Sequence, residues 1–514
     1  MKFYINTPIY YVNDQPHIGH AYTTIAADAV ARFHRLKKNE VFFSVGVDEN
    51  SQKNVQAMEK AGEKDLTTYL DRMAGVWKQT WQDLGITFTD FIRTTDERHR
   101  VGVERFWNAA QKNGDLYEKE YEGLYCVGCE AFKTETEIVN RRCPLHPNKD
   151  LENLKEKNWF FKLEKYKKNL LELIDHKDFV HPESRRNEIR NYIENHLADI
   201  SVSREAKKLK IGIPVPGDES QRIYVWFDAL LNYLTVIGYG TNDEMFKKWW
   251  PSDLWIGGKD IIKFHCALFP AMLMSAAKQD PLLQDTDGQA LLVKQCFAHG
   301  FFTIDGQKVS KSLGNAINPR ELASEYGIDA LRYFLLREIT FGEDGDFSVK
   351  RCSERYDADL GNTFGNLVNR TIAMSKKYFD GKVPQGMNQE LRIVNDELCG
   401  AVHQAYVSNR CDLALEKIWD ELYQANKYIE ETQPFKKEHE AIRAPVLYSL
   451  LEACRWYAWM VYPVMPETAE KIWGQLGLNV EKELSKGWDV GLKWGGLPPG
   501  QALGEPEPLF PRLP

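Results

Sequence analysis

Seven residues, Val41-Phe42-Phe43-Ser44-Val45-Gly46-Val47, carry a single hydroxyl as their only polar side chain. A run this short and this apolar marks a strand buried on both faces, as in a parallel sheet covered by helices. What precedes it fits that frame. Phe3, Tyr4 and Ile5 are β-prone, and Pro8 with Asn13-Asp14-Gln15-Pro16 forces a loop. Ile25, Ala26, Ala29, Val30 and Phe33 then fall at helical spacing, which predicts a helix from about Ala21 to Arg35. Strand, helix and strand in this order predict a doubly wound, Rossmann-like α/β unit.

The pattern does not continue evenly. Residues 116–215 are rich in aromatics, charges and clustered cysteines and read as an insertion into an α/β unit made of 1–115 and 216–305. The α/β pattern returns in Ile223-Tyr224-Val225-Trp226-Phe227, in Leu254-Trp255-Ile256-Gly257-Gly258 and in Lys294-Gln295-Cys296-Phe297-Ala298. A region that opens with a Gly- and Ser-rich loop carrying Lys308-Val309-Ser310-Lys311-Ser312, read as the loop and stem-contact region, spans 306–355, a helical domain 356–505, and a tail 506–514. The Pro- and Gly-rich residues from Gly495 are expected to run along the surface. A chain of 514 residues is long enough for several domains. Apolar residues at 43% and charged residues at 27% are ordinary for a water-soluble protein. No apolar stretch approaches the roughly 18 residues of a membrane helix, and the N-terminus lacks the makings of a secretory signal. A cytoplasmic protein with no membrane partner is expected. The net charge of −8 argues against indiscriminate coating of nucleic acid, but not against a local RNA site.

Two short motifs carry chemistry. His17-Ile18-Gly19-His20 stands where a loop enters the first helix, and helix N-termini suit phosphate. Two imidazoles one helical turn apart can donate to one phosphate, and Gly19 lets a ring or ribose lie against the backbone. Far downstream, Lys308-Val309-Ser310-Lys311-Ser312 sets two lysines in a Gly- and Ser-rich loop. Ammonium groups on a mobile loop can close over a triphosphate and stabilise the charge that builds as pyrophosphate leaves. Taken singly, a His-x-x-His pair is usually a surface feature and a Lys-x-x-Lys loop is usually solvated. A third motif is Cys126-Val127-Gly128-Cys129 followed by Cys143-Pro144-Leu145-His146. Cys126, Cys129, Cys143 and His146 have the spacing of a closed, tetrahedral structural Zn2+ site; the bland alternative is four unrelated core side chains.

Together and in this order, the first two motifs resemble the signatures of class I aminoacyl-tRNA synthetases, with Val309 in place of the family's methionine. Over nearly the whole chain the resemblance is to the methionyl-tRNA synthetase family of bacterial type. Thr7-Pro8-Ile9-Tyr10-Tyr11-Val12-Asn13, Tyr224-Val225-Trp226-Phe227-Asp228-Ala229-Leu230 and Gly258-Lys259-Asp260-Ile261-Ile262-Lys263-Phe264-His265 carry it. It implies an ATP-dependent ligase that forms methionyl-adenylate and pyrophosphate and then loads tRNA(Met). The partners would be ATP with Mg2+, L-methionine and tRNA(Met). His17, His20, Lys308 and Lys311 would be catalytic, with Gly19 and Ser310 also at the nucleotide. Ile9, Tyr11, Trp226, Ala229, Tyr233, Ile261 and His265 would line the methionine pocket, where Tyr11 or His265 could donate weakly to sulfur. Asp48 would hold the ammonium group. Residues 116–215 would be the zinc-bearing connective insertion, and 356–505 the helical anticodon-binding domain, with Asn366, Arg370 and Phe435 at the bases.

Two departures stand out. After Asp48 the family continues Glu-His-Gly, whereas this chain has Glu49-Asn50-Ser51 and loses an imidazole. Phe435 stands where the family has a stacking tryptophan, keeping the ring and losing the indole N–H. Between His20 and Lys308 there is no room for the large editing insertion of the leucyl, isoleucyl and valyl enzymes. No cysteine precedes the first signature, unlike the cysteinyl enzyme. Intact His17, His20, Lys308 and Lys311 speak against a catalytically silent tRNA-binding paralogue. Nothing after about residue 505 could hold the family's dimerisation domain, so a monomer is expected.

Overall fold

The computed structural model describes residues 1–126, 131–133, 138–144, 150–304, 306–308, 317–386 and 396–513, with backbone alone at 121, 131–133, 154, 307 and 308. Its centre is a seven-stranded sheet. Strand β1 (Lys2–Asn6) is followed by the short β2 (Tyr10–Tyr11), by β3 (Glu40–Asp48) and, further on, by β4 (Asp90–Arg93). β3 pairs in parallel with β1, from Lys2 opposite Glu40 to Asn6 opposite Ser44, and at its far end with β2. Phe42 through Asp48 are buried without a break, because helices cover both sheet faces.

On its other side β1 pairs in parallel with Leu254–Gly258, which pairs with Cys296–His299, which pairs with Val180–His181. The last pair lies inside the stretch expected as an insertion, so that stretch is tied into the sheet edge. The sequence-derived strand at 223–227 divides differently. Asp218–Ile223 is an antiparallel strand of a separate small sheet, and Val225–Leu230 is a short helix. An apolar run of this length fits a buried helix turn as well as a strand, and periodicity alone does not separate them.

Because the connections leaving β1 and reaching its two neighbours go to opposite sides, the switch point of the sheet lies at the carboxyl end of β1. Ligands of open α/β sheets bind in that crevice. Helix α1 (Ile18–Leu36) begins there. Its alanine-rich sequence is buried over most of its circumference, against the sheet on one side and C-terminal helices on the other. Helices α2 (Gln52–Lys60) and α3 (Leu66–Asp83) follow β3.

One hydrophobic core joins α1 and α3 to Ile328–Arg337, Asn366–Tyr378, Cys411–Thr432 and Glu440–Val461. A second lies under the opposite sheet face, among the helices Glu97–Lys112, Val225–Leu230 and Phe269–Ala277. The Pro- and Gly-rich end is not a surface strap throughout. Glu452 accepts the N–H groups of Gly495, Gly496 and Leu497 at 2.8, 2.9 and 3.0 Å, and Leu497 is fully buried. A carboxylate inside a helical core supplies the acceptors that a glycine-rich backbone needs there.

Candidate active site

His17 is the N-cap of α1. Its Nδ1 accepts the N–H of Gly19 at 3.1 Å, and the N–H of His17 is accepted by Nδ1 of His20 at 3.2 Å. This is a capping box built from two imidazoles. Since each Nδ1 accepts, the proton of each neutral ring sits on Nε2. The two rings stack 3.7 Å apart, and His20 also lies against Tyr10 and Trp77 at 4.7 and 4.9 Å. Burial in that aromatic nest, then the neighbouring His17, pushes the His20 pKa well below its ordinary value. His20 is therefore neutral at neutral pH and presents its Nε2–H as a donor. A Cβ on Gly19 would come within 2.9 Å of the His17 ring, so the glycine is needed for the cap as well as for any ligand.

The segments flanking the downstream motif are described. Phe302–Ile304 and Gln307–Lys308 form a hairpin, with Thr303 opposite Lys308. Where the described chain resumes, the carbonyl of Ile317 accepts the N–H of Ile18, the first residue of α1, at 3.1 Å. The backbone of Lys308 is thus placed, while Ser310 and Lys311 lie outside the described residues.

Asp48 ends β3 opposite Tyr11 of β2 and is nearly buried. Its carboxylate accepts the N–H of Asn50 at 3.3 Å, and its carbonyl accepts from the Asn54 amide at 3.0 Å. Ile9 lies close to the bare face of Gly46, where a Cβ would meet its side chain at 2.9 Å. Across the crevice, Trp226 stacks flat on Phe264 at 3.8 Å, with Ile261 half-buried nearby in sequence and Ala229 buried on the helix of Trp226.

Tyr233 and His265 are both buried and locked in one direction. Trp255 Nε1 donates to the Tyr233 hydroxyl at 3.1 Å, and that hydroxyl donates to His265 Nε2 at 2.8 Å. His265 Nδ1 donates to the Ile261 carbonyl at 3.0 Å. Burial lowers the His265 pKa to about 3, so the ring is neutral and its only proton is committed to Ile261. The expected weak donation from His265 to a thioether therefore has no hydrogen to use in this arrangement. Its role here is to fix Tyr233.

Sequence reasoning missed a buried chain behind Asp48. The Asn50 amide donates to Asp228 at 2.7 Å, and the other oxygen of Asp228 contacts His99 Nε2 at 2.7 Å, whose Nδ1 contacts the Thr235 hydroxyl at 2.8 Å. Asp228 lay inside a recognised segment, but His99 is a lone residue with no local pattern to mark it.

The cysteine module is half described. Cys126 closes the strand Leu116–Cys126, and Cys143 follows a turn in which Asn140 and Arg141 take positive φ angles of 51° and 61°. Both cysteines are fully buried, yet neither belongs to either hydrophobic core, and Val139 to Arg142, just before Cys143, are exposed. Buried cysteines outside both apolar cores suit metal ligation, although the described residues bring together no group of three metal-ligating side chains; Cys129 and His146 lie outside the described residues.

In the C-terminal helical region, Asn366 is exposed at the start of the helix Asn366–Tyr378. One turn on, Arg370 pairs with Glu430 at 2.8 Å. Phe435 is 41% exposed.

Residues 3–153 and 135–372 match the family of class I tRNA synthetases (M). The chain is 44% identical to the methionine–tRNA ligase of Thermotoga maritima, over all of this chain and 80% of that one. It is 42% identical to that of Thermosynechococcus vestitus, over 99% and 97%. Among solved structures it resembles the Mycobacterium tuberculosis methionyl-tRNA synthetase in complex with methionyl-adenylate, with a TM-score of 0.91, 38% identity and full coverage of both chains. With a parallel sheet, a histidine-capped helix at its switch point and this likeness along its whole length, the chain belongs to the methionyl-tRNA synthetases, within the class I tRNA synthetases.

Proposed function

We propose that this chain activates methionine with ATP and transfers it to tRNA(Met). The methionine carboxylate, already ionised, attacks the α-phosphorus of ATP; methionyl-adenylate forms and pyrophosphate leaves. A hydroxyl of the tRNA's terminal adenosine then attacks the methionyl carbonyl, and AMP departs. What supports this above all is the bond from Ile18 to Ile317, which brings the chain just past the second signature to the helix start that carries the first.

In this reading the Nε2–H groups of His17 and His20 donate to the phosphate chain, aided by the α1 N-terminus. Gly19 leaves the nucleotide room at the cap. Lys308, Lys311 and Ser310 hold the departing pyrophosphate from the opposite side. Mg2+, bound with ATP, would screen the triphosphate. Asp48 takes the methionine ammonium. Ile9, Tyr11, Trp226, Ala229, Tyr233, Ile261 and His265 enclose the side chain, where a polarisable thioether suits aromatic walls. Asn366, Arg370 and Phe435 meet the anticodon, with Phe435 stacking on a base.

Cys126, Cys129, Cys143 and His146 would hold one zinc ion, which would stabilise the insertion over the cleft. Replacing Cys126 by serine is expected to abolish bound zinc, measured by metal analysis, and to cut charging at least about tenfold. A metal site of this kind contributes on the order of 10 kcal/mol to local folding. The domain boundaries proposed from sequence, a monomeric state and a cytoplasmic location belong to the same reading. No described helix is long and apolar enough to cross a membrane.

The deciding experiment is exchange of labelled pyrophosphate into ATP, run with each of the twenty amino acids. Exchange dependent on methionine alone is expected. Absence of exchange with every amino acid, alongside tRNA binding, would instead leave a silent RNA-binding protein.

A further inference from the structure

Asn50-Ser51, where this chain departs from the Glu-His-Gly expected after Asp48, lies between two walls of the candidate methionine pocket. One wall is the end of β3 with Asp48, and the other is the helix Val225–Leu230, which carries Trp226 and Ala229. Asn50 is 3% exposed and Asp228, on that helix, is fully buried. The backbone N–H of Asn50 donates to Asp48 Oδ1 at 3.3 Å. Its side-chain amide turns the other way and donates to Asp228 Oδ2 at 2.7 Å and to the Thr94 carbonyl at 3.1 Å.

The neighbours leave this residue little freedom. Glu49 is held by Arg93 at 3.0 and 3.1 Å and by the Thr95 hydroxyl. The Glu49 N–H donates to Thr94 Oγ1 at 2.9 Å, and Asn54 donates to the carbonyls of both Asp48 and Glu49. On the far side His99, itself held by the Thr235 hydroxyl, fixes the second oxygen of Asp228. One uncharged amide thus joins two rigid groups across a gap closed to water. A neutral donor suits the place, because it satisfies Asp228 and a carbonyl at once without adding charge beside Asp48.

We propose that Asn50 is a positioning residue for methionine: it sets the separation between the ammonium-binding carboxylate of Asp48 and the aromatic wall around Trp226. The proposal rests on the reading of Asp48 given above. It differs from a plain core role because the bond spans the two halves of one substrate's pocket and touches nothing at the nucleotide end.

The test is methionine-dependent pyrophosphate exchange with both substrates titrated, together with melting temperatures. Asn50→Ala, and Asn50→Ser should the first not fold, are expected to raise KM for methionine at least about tenfold. That is the loss expected when a buried acceptor loses its donor. KM for ATP is expected to stay within about twofold, since the helix cap at His17 is untouched. Asn50→Asp should be worse, because it sets two carboxylates face to face. Adding Asp228→Asn to it reverses donor and acceptor and is expected to recover part of the loss, as coupled residues do. Equal rises in both KM values, an unchanged KM for methionine, or strictly additive effects in the double variant would overturn the proposal. Asp48→Asn tests the underlying reading separately. If it left KM for methionine unchanged, that reading would fail whatever Asn50 did.

Discussion

A histidine's worth in this molecule depends on which nitrogen holds its proton, and burial decides when a second proton can enter. His265 and His299 are both buried, and burial lowers their pKa values to about 3 and about 4. His299 Nδ1 donates to the Gly300 carbonyl at 2.7 Å, and its Nε2 meets the Thr23 hydroxyl of α1 at 2.7 Å. The folded state keeps both rings neutral, whereas the unfolded chain takes up protons below about pH 6.5. Stability from this source is therefore complete above pH 6.5 and is lost as pH falls from there toward 4. Each ring contributes a slope of about 1.4 kcal/mol per pH unit. We expect the urea midpoint to drop between pH 7 and pH 5, and His299→Gln to flatten that drop measurably. A variant with the wild-type slope would rule out His299 as a source. Much of this scale was legible in the sequence. His17 and His20 stand at a helix start that the local pattern marks, whereas Asp48 was singled out by resemblance to the family. The committed proton of His265 and the Asn50–Asp228–His99 chain were not, because they depend on contacts between residues far apart in the chain.

Elements were legible where one period dominates. The buried run of β3 and the helical spacing of α1 gave their positions to within a few residues, since each is a long, uniform pattern. The run at 223–227 was ambiguous for the opposite reason: five apolar residues suit either structure, and packing chose a helix that aims Trp226 at Phe264. The loop after Cys411–Thr432 shows how an element can present a single side chain. Gln433 ends that helix in a left-handed conformation, with φ 41°. Arg443 donates to the carbonyls of Pro434 and Lys436 at 2.7 and 3.0 Å and lies over the Tyr378 ring at 4.2 Å. The Tyr378 hydroxyl donates to the Phe435 carbonyl at 3.1 Å. The Phe435 carbonyl is thus held while the residue stays 41% exposed. If its ring stacks on an anticodon base, loosening its mount should weaken tRNA and spare methionine activation. Arg443→Ala is expected to raise KM for tRNA about three- to tenfold in charging assays, near the effect of Phe435→Ala, with pyrophosphate exchange unchanged. Stacking of this kind is worth about 1–3 kcal/mol per base. Unaltered tRNA affinity in both variants would remove Phe435 from the RNA surface and return it to mere helix packing.

Across the whole molecule, α1 is the shared spine. Its N-terminus opens on the candidate nucleotide site, and its middle is bolted to the C-terminal helices by a buried charge. Asp28, fully buried, accepts from Arg332 at 2.7 Å, from Arg32 at 2.7 Å and from the Thr87 N–H at 2.7 Å. Arg332, equally buried, also donates to the carbonyls of Val464 and Pro463 at 2.6 and 3.2 Å, in the link between two C-terminal helices. Desolvation alone would raise the Asp28 pKa, yet the two guanidinium groups and Thr87 overcome it and hold the carboxylate well below its ordinary range. Such a junction stabilises the fold only while complete, because removing one partner strands the other charge away from water. Arg332→Met keeps much of the volume and removes the charge, the link to Asp28 and both carbonyl contacts. It is expected to cost about 3–5 kcal/mol, read as a lower urea midpoint. Asp28→Asn added to it should return part of that cost, since no carboxylate is then left short of a partner. The two ends of the molecule should also part company in function. Exchange, which needs only the α1 N-terminus and its neighbours, should fall less than tRNA charging, which needs the catalytic and helical parts held in register. Equal losses in the two assays would mean that the junction supports the fold without fixing the separation between the candidate adenylate-forming site and the helices proposed to face the anticodon.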